Sequence, residues 1–338
     1  MIKKLTVIET DCTNPYHNLA LEEALLSQVS ENEIILYLWQ NRQTVVIGRN
    51  QCAPAECNIA NLESDGGFLA RRLSGGGAVY HDLGNLNFTF IARSSDFDKS
   101  AQTDVILRAV RSLGINAEKN GRNDLTVDGR KFSGHAYYKT KDRCYHHGTL
   151  MLYVDTEKLS RYLNVSPLKL KAKGVASVKS RVINLCELKK DVNIDLLKEK
   201  LIASFAEVYN SPVSKLYEEE VDKALLTKLE KRYSDPDYKY GGIKILPCSL
   251  QQKFDWGQVR IDFALSDSES RKLSDVLFYS DGLEADYLSQ ISERLINIEL
   301  NTEKIYAALT DGIKLNEMQD IAQAASDIAD LLGNSQWR

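Results

Sequence analysis

The chain has 338 residues, 43% of them hydrophobic and 27% charged, with 19 Gly and 6 Pro. That is the composition of a globular protein of about two domains, and it excludes the disordered, collagen-like and disulfide-framework classes. The net charge of −4 also excludes a globally basic nucleic-acid binder.

In chain order, apolar residues recurring every three to four positions predict helices over Asn18 to Val29, Gln102 to Leu113, Asp195 to Tyr209 and Met318 to Leu332. Gly114 stands where the second helix would end in a left-handed turn. Strand-forming runs fall at Ile34 to Trp39, Thr44 to Gly48, Leu86 to Ala92, Leu125 to Val127, Lys131 to Tyr138 and Thr149 to Val154. Asp128-Gly129 is a tight-turn signal that makes 125 to 138 a hairpin. Helices and strands do not alternate strictly, which points to the α+β class with an antiparallel or mixed sheet.

Charge divides the chain. From Pro247 onward there are 8 Lys or Arg against 16 Asp or Glu, while residues 1–246 carry 35 against 31. A boundary is expected there, after the turn-prone Ser234 to Asp237 and Gly241-Gly242, leaving a large domain of residues 1–246 and a small acidic one of residues 247–338. Within the large domain, residues 119–181 hold 14 basic and 5 acidic residues, which fits either a solvated surface or a channel for an anionic ligand. The longest apolar run, Ile34 to Trp39, is far shorter than the ~20 residues of a membrane span, and the stretch after Lys3 and Lys4 is broken by Thr6 and Glu9. A cytoplasmic location away from membranes is expected. The six cysteines, at 12, 52, 57, 144, 186 and 248, include no C-x-x-C pair, so reduced thiols are expected and zinc is not.

Four motifs bear on chemistry. In Arg71-Arg72-Leu73-Ser74-Gly75-Gly76-Gly77-Ala78-Val79-Tyr80-His81-Asp82, glycines let backbone N–H groups approach an anion and the arginines add charge-assisted contacts. A strand pattern beginning at Asn85 follows, so neither a P-loop nor a dinucleotide fingerprint fits. Gly121-Arg122-Asn123-Asp124 leads into the hairpin, and Lys131, just past its turn, is placed to put a point charge into a pocket. In Tyr145-His146-His147-Gly148-Thr149 the adjacent histidines would face opposite sides of a strand. Lys173 to Arg181, with Gly174 and Ser177, suits a loop closing over phosphate or a basic surface loop.

These segments together resemble the lipoate-protein ligases. The likeness runs from Asn14-Pro15-Tyr16-His17-Asn18-Leu19-Ala20 through RRLSGGGAVYHDLGN, GRNDL, KFSGHAYY, YHHGTL and KGVASVKSRV to FDWGQV in the acidic part. The resemblance implies an α+β catalytic domain akin to biotin-ligase cores, followed by a small α/β domain. It implies ATP-dependent conversion of lipoate to lipoyl-AMP, with magnesium on the phosphates, and transfer to a lysine of an acidic lipoyl domain, on the E2 subunit of a 2-oxoacid dehydrogenase or on the glycine-cleavage H protein. By the same resemblance, lipoate and nucleotide contacts fall on Arg72, Gly77, Ala78, Val79 and Tyr80, Lys131 touches both carboxyl and phosphate, and segment 173–181 covers the adenylate. Ser74, Gly75, Gly76, Asn85, Asp124 and His147 complete the candidate set, with Phe88 and Phe90 offered as walls of an apolar tunnel for the lipoyl tail. Two rivals stay open: an ATP-independent lipoyl or octanoyl transferase of the same fold, which would use a cysteine, and a nucleic-acid binder using the basic stretch, which lacks interleaved aromatics.

Overall fold

A computed structural model of the chain describes residues 2–121, 123–164, 182–241, 244–266, 271–313 and 318–334. It divides into two compact units: Met1–Ile47, Ala53–Arg72 and Ala78–Lys239 form the first, and Gly48–Cys52, Leu73–Gly77 and Tyr240–Arg338 the second.

The first unit is built on an eight-stranded sheet of β1 (Lys4–Glu9), β2 (Glu33–Trp39), β6 (Asn85–Arg93), β7 (Glu118–Asn120), β8 (Asp124–Val127), β9 (Arg130–Lys139), β10 (Arg143–Met151) and β11 (Val213–Lys215), in the order β11-β1-β2-β6-β10-β9-β8-β7. β1 runs parallel to both its neighbours and the other pairs are antiparallel, so the sheet is mixed and the class is α+β, as the irregular alternation predicts. A smaller sheet joins β3 (Thr44–Ile47) to β4 (Phe68–Arg71) in parallel and to β5 (Val79–His81) antiparallel.

The large sheet has two chemically different faces, and β6 shows why. It is buried along almost its whole length, so period-two alternation separates Leu86, Phe88, Phe90 and Ala92 from Asn85, Asn87 and Thr89. The apolar set packs with Val105, Ile106, Ala109 and Val110 of a helix at Lys99–Ser112 and with Leu197, Leu201 and Phe205 of a helix at Ile194–Tyr209. The polar set faces the side of the helix at Pro15–Gln28, where Thr89 bonds Glu22. These three helices are numbered α1 (Pro15–Gln28), α2 (Lys99–Ser112) and α3 (Ile194–Tyr209). Phe88 and Phe90 are therefore core residues and not tunnel walls: both are fully buried, and Phe90 lies 5.8 Å from the ring of Phe205. Alternation puts them on the helix-covered side, away from the polar face.

Several boundaries differ from the periodicity. α1 starts at Pro15, because Asn14 caps it by accepting from the Tyr16 N–H, and α2 starts at Lys99, because Asp98 accepts from the Ser100 and Ala101 N–H groups. The strand expected at 149 to 154 instead spans Arg143–Met151 and carries the histidine pair, since it is hydrogen-bonded to β6 and β9 on both sides. It ends where the Leu152 and Tyr153 N–H groups turn to the Gly84 carbonyl. The hairpin forms as expected, with Asp128 at φ 50° and Gly129 at φ 74°, as a primed turn requires.

The second unit holds an antiparallel sheet of β12 (Cys248–Phe254), β13 (Gly257–Leu265) and β14 (Leu273–Ser280). It packs with α4 (Ala285–Leu295), α5 (Thr302–Thr310) and α6 (Gln319–Gly333) around Val259, Ile261, Phe263, Ile291, Leu295 and Ile328.

Candidate active site

Lys131 lies on β9 where the register with β8 shifts. Its Nζ is 2.8 Å from Asp124 Oδ1, and the two side chains are 38% and 41% exposed. The lysine stem crosses Gly134, where a Cβ would come within 2.6 Å of Nζ and 2.8 Å of Cε, so only glycine leaves room for it. The Gly134 N–H donates to Thr149 Oγ1 at 3.2 Å, and the Lys131 carbonyl accepts from the Ile183 N–H at 2.9 Å. An ion pair this exposed adds little to stability, so the ammonium is held in place yet accessible to an anionic ligand.

Arg72, which directly follows β4 of the smaller sheet, is only 5% exposed. Its Nη1 donates to the Val46 carbonyl at 3.1 Å, and burial pulls its pKa down to about 10, still charged at neutral pH, with Tyr145 and Glu22 opposing the shift. A buried cation of this kind favours an anionic partner. Arg71, the other arginine of the motif, donates from Nε and Nη2 to the carbonyls of Tyr238 and Lys239, both at 3.0 Å.

A buried polar network lies on the α1 side of the large sheet. His147 Nδ1 lies 2.9 Å from Glu22 Oε1, Thr89 Oγ1 donates to the same oxygen at 2.7 Å, and Trp39 Nε1 donates to Thr89 Oγ1 at 3.1 Å. A second branch runs from the Tyr37 hydroxyl to Asn18 Oδ1, from Asn18 Nδ2 to Asn41 Oδ1, and from Asn41 Nδ2 to His81 Nδ1. Burial, with Arg72 nearby, pushes His81 down to about 3 and keeps it neutral. Ala78 precedes β5, which carries Val79 and the buried Tyr80, whose ring is 5.5 Å from that of Tyr162. Asn85 is buried and donates to Asn87 Oδ1 at 2.9 Å. Three buried polar atoms here, the Tyr80 hydroxyl, His81 Nε2 and Asn87 Nδ2, have no partner among the described residues.

The glycine segment belongs to the second unit. Ser74 is fully buried and its carbonyl accepts from the Arg49 N–H, while the Gly76 N–H donates to the Gly282 carbonyl at 3.3 Å. A Cβ at Gly75 would meet that same carbonyl at 2.2 Å, and Gly76 holds φ 90°. Close backbone packing at Gly75 and the left-handed backbone at Gly76 account for glycine at these two positions of the unit. Gly174 and Ser177, with the rest of 173–181, lie outside the described residues, as does Arg122.

Sequence motifs mark His147 but not Glu22, Thr89 and Trp39, which fix it. One signal was present: Glu22 lies three residues from both Leu19 and Leu25, a carboxylate on the buried stripe of α1. His146 points to the other face, as two adjacent strand histidines must.

Comparison with known proteins defines the class. The description "Lipoyl protein ligase A/B catalytic domain" matches residues 14–206, and "Bacterial lipoate protein ligase C-terminus" matches residues 247–332. The chain belongs to the lipoate-protein ligase family, enzymes that attach lipoate to protein. It is 38% identical to the lipoate-protein ligase A of Psychrobacter cryohalolentis, over 97% of this chain and 98% of that one. Among solved structures it resembles P. falciparum LipL1 in complex with lipoate, with a TM-score of 0.81 and 28% identity over 96% of this chain and 99% of that one. It also resembles a lipoate-protein ligase A bound with ATP, with a TM-score of 0.62 and 28% identity over 71% of this chain and 99% of that one. No described helix is long and apolar enough to cross a membrane.

Proposed function

We propose that the enzyme converts lipoate and ATP to lipoyl-AMP and pyrophosphate, then passes the lipoyl group to a lysine of an acidic lipoyl domain, on the E2 subunit of a 2-oxoacid dehydrogenase or the glycine-cleavage H protein. The observation that carries this reading is a pair of cations of different exposure: Arg72, buried within electrostatic reach of Glu22 and Tyr145, and Lys131, accessible above Gly134. A carboxylate attacking an α-phosphate brings two anions together, and this chemistry calls for placed positive charge more than for an enzyme nucleophile. In this reading residues 1–246 are the catalytic domain and 247–338 an accessory one. Arg72 and Ser74 to Tyr80 hold lipoate and nucleotide, and Asn85 and His147 line the site; Gly174 and Ser177, outside the described residues, stay in the ligand-binding set only as the resemblance implies. The unpaired Tyr80 hydroxyl, His81 Nε2 and Asn87 Nδ2 support a polar occupant.

Magnesium would travel on the phosphates and keep most of its water. The described residues contain no group of three side chains suited to a metal ion, which fits a magnesium that needs few protein ligands.

The rival transferase needs a reactive thiolate. Cys144 is buried, its Sγ sits 3.9 Å from the Ala92 carbonyl, and burial pushes its pKa up to about 11, while Cys57 is pushed up to about 12. Cys144→Ser should therefore keep most lipoate-dependent pyrophosphate release and transfer. An acyl group on Cys144 seen by intact mass, together with loss of transfer in the variant, would move the assignment to the transferase.

The net positive charge of residues 1–246, with 35 Lys or Arg against 31 Asp or Glu, supports docking of an acidic acceptor through association rate. Acceptor KM should rise between about 50 and 300 mM salt while lipoate KM changes less, because screening weakens long-range attraction first. Equal insensitivity of both constants would remove the electrostatic part of the docking.

A further inference from the structure

Behind Lys131, on the side of the sheet covered by α2, four buried side chains form a line. Ser133 Oγ is 3.0 Å from His135 Nε2, His135 Nδ1 is 2.9 Å from His146 Nε2, and His146 Nδ1 is 3.0 Å from Gln102 Oε1. Burial pushes His135 down to about 3, helped by the cations Lys131, Lys99 and Lys119 and by His147, and it pushes His146 well below its ordinary value. Each ring therefore carries a single proton. An amide oxygen only accepts, so His146 donates from Nδ1 to Gln102, His135 donates from Nδ1 to His146, and the Ser133 hydroxyl donates to His135. The placement of Gln102 Oε1 thus sets the direction of the whole chain.

The line ties three elements together: Ser133 and His135 on β9, His146 on β10 and Gln102 on α2. Ser133 and His135 bracket Gly134, the residue over which the Lys131 stem lies on the opposite face. Packing locks the rings: His135 and His146 lie 4.7 Å apart, the Tyr137 ring stacks on His146 at 4.6 Å, and the Phe88 ring meets both histidines edge-on. An apolar filling would bury as much surface, but only directed bonds set the position of the Ser133 to His135 backbone relative to α2.

We propose that Ser133, His135, His146 and Gln102 form a positioning relay for Lys131, clamping the peptide beneath its ammonium from the buried side of the sheet. None of the four touches substrate in this proposal. It rests on the reading that Lys131 acts on the anions of the adenylation step, and the test separates the two.

The test is a double-mutant cycle on lipoate-dependent pyrophosphate release by the full chain. His135→Phe keeps a ring of similar size and removes both nitrogens. It should lower kcat about 10 to 30-fold with lipoate KM within about twofold, since a displaced Lys131 weakens the transition state more than substrate binding. His135→Asn, which keeps an N–H toward His146, should recover part of that loss. In a Lys131→Ala background the same His135→Phe change should alter the residual rate by less than about twofold, because the group it positions is gone. If His135→Phe does not fold, Gln102→Met at the far end of the line should give a smaller loss that likewise vanishes with Lys131→Ala. Full multiplication of the two effects, or wild-type kcat in His135→Phe, overturns the relay. Normal turnover of Lys131→Ala alone overturns the role of Lys131 itself, and the relay with it.

Discussion

Lys131→Ala should reduce lipoate-dependent pyrophosphate release by about 10² to 10⁴-fold while leaving the fold intact. Its ion pair with Asp124 is more than a third exposed on both sides, so losing it should change folding stability by no more than ~0.5 kcal/mol. The loss appears only when two desolvated anions, carboxylate and α-phosphate, face each other with one cation fewer. Lys131→Arg should not restore the rate fully, because a planar fork cannot replace a compact point charge at the same depth. The check is pyrophosphate release by a variant shown to melt like the parent; near-normal turnover would remove Lys131 from the chemistry.

The second large effect concerns acid. His81 and His135 have pKa values pushed down to about 3 by burial, and His146 lies well below the ordinary value. Their folded pKa values lie below the unfolded value near 6.5, so as pH falls the unfolded chain takes up protons that the folded chain refuses. For His81 and His135 stability is then lost from about pH 6.5 down to about pH 3, by roughly 1.4 kcal/mol per pH unit each, and His146 acts in the same direction. Three such groups together would remove several kcal/mol by pH 5, a large part of a typical folding free energy. Glu33 behaves in another window: its lowered pKa gives stability that is lost only as pH falls below about 4.5. Urea midpoints measured from pH 7.5 to pH 4.5 should begin to fall near 6.5. A flat profile down to 4.5 would mean that the buried histidines do not stay neutral.

What was readable in the sequence follows the range of the forces involved. The Asp128-Gly129 turn and the helix expected over 195–209, found at Ile194–Tyr209, depend on local residues and emerge from spacing alone. The partners of His147 did not, because Glu22 meets it only when α1 packs on β10, 125 residues away. The tunnel assignment of Phe88 and Phe90 failed because alternation separates two faces without saying which one a helix will cover. The three glycines were legible as a place of close approach, yet what approaches Gly75 in the second unit is the Gly282 backbone, more than 200 residues along the chain. Start points of α1 and α2 were late by three residues, since Asn14 and Asp98 cap helices whose first turns carry little apolar periodicity.

Adenylation followed by lysine acylation is tested most directly by incubating the purified full chain with lipoate, ATP, magnesium and an unlipoylated lipoyl domain, and measuring pyrophosphate alongside the acceptor's intact mass. One pyrophosphate should appear for each lipoyl group gained, and omitting ATP should abolish both. Acceptor modification that proceeds without ATP, from a lipoylated or octanoylated carrier, would contradict the account.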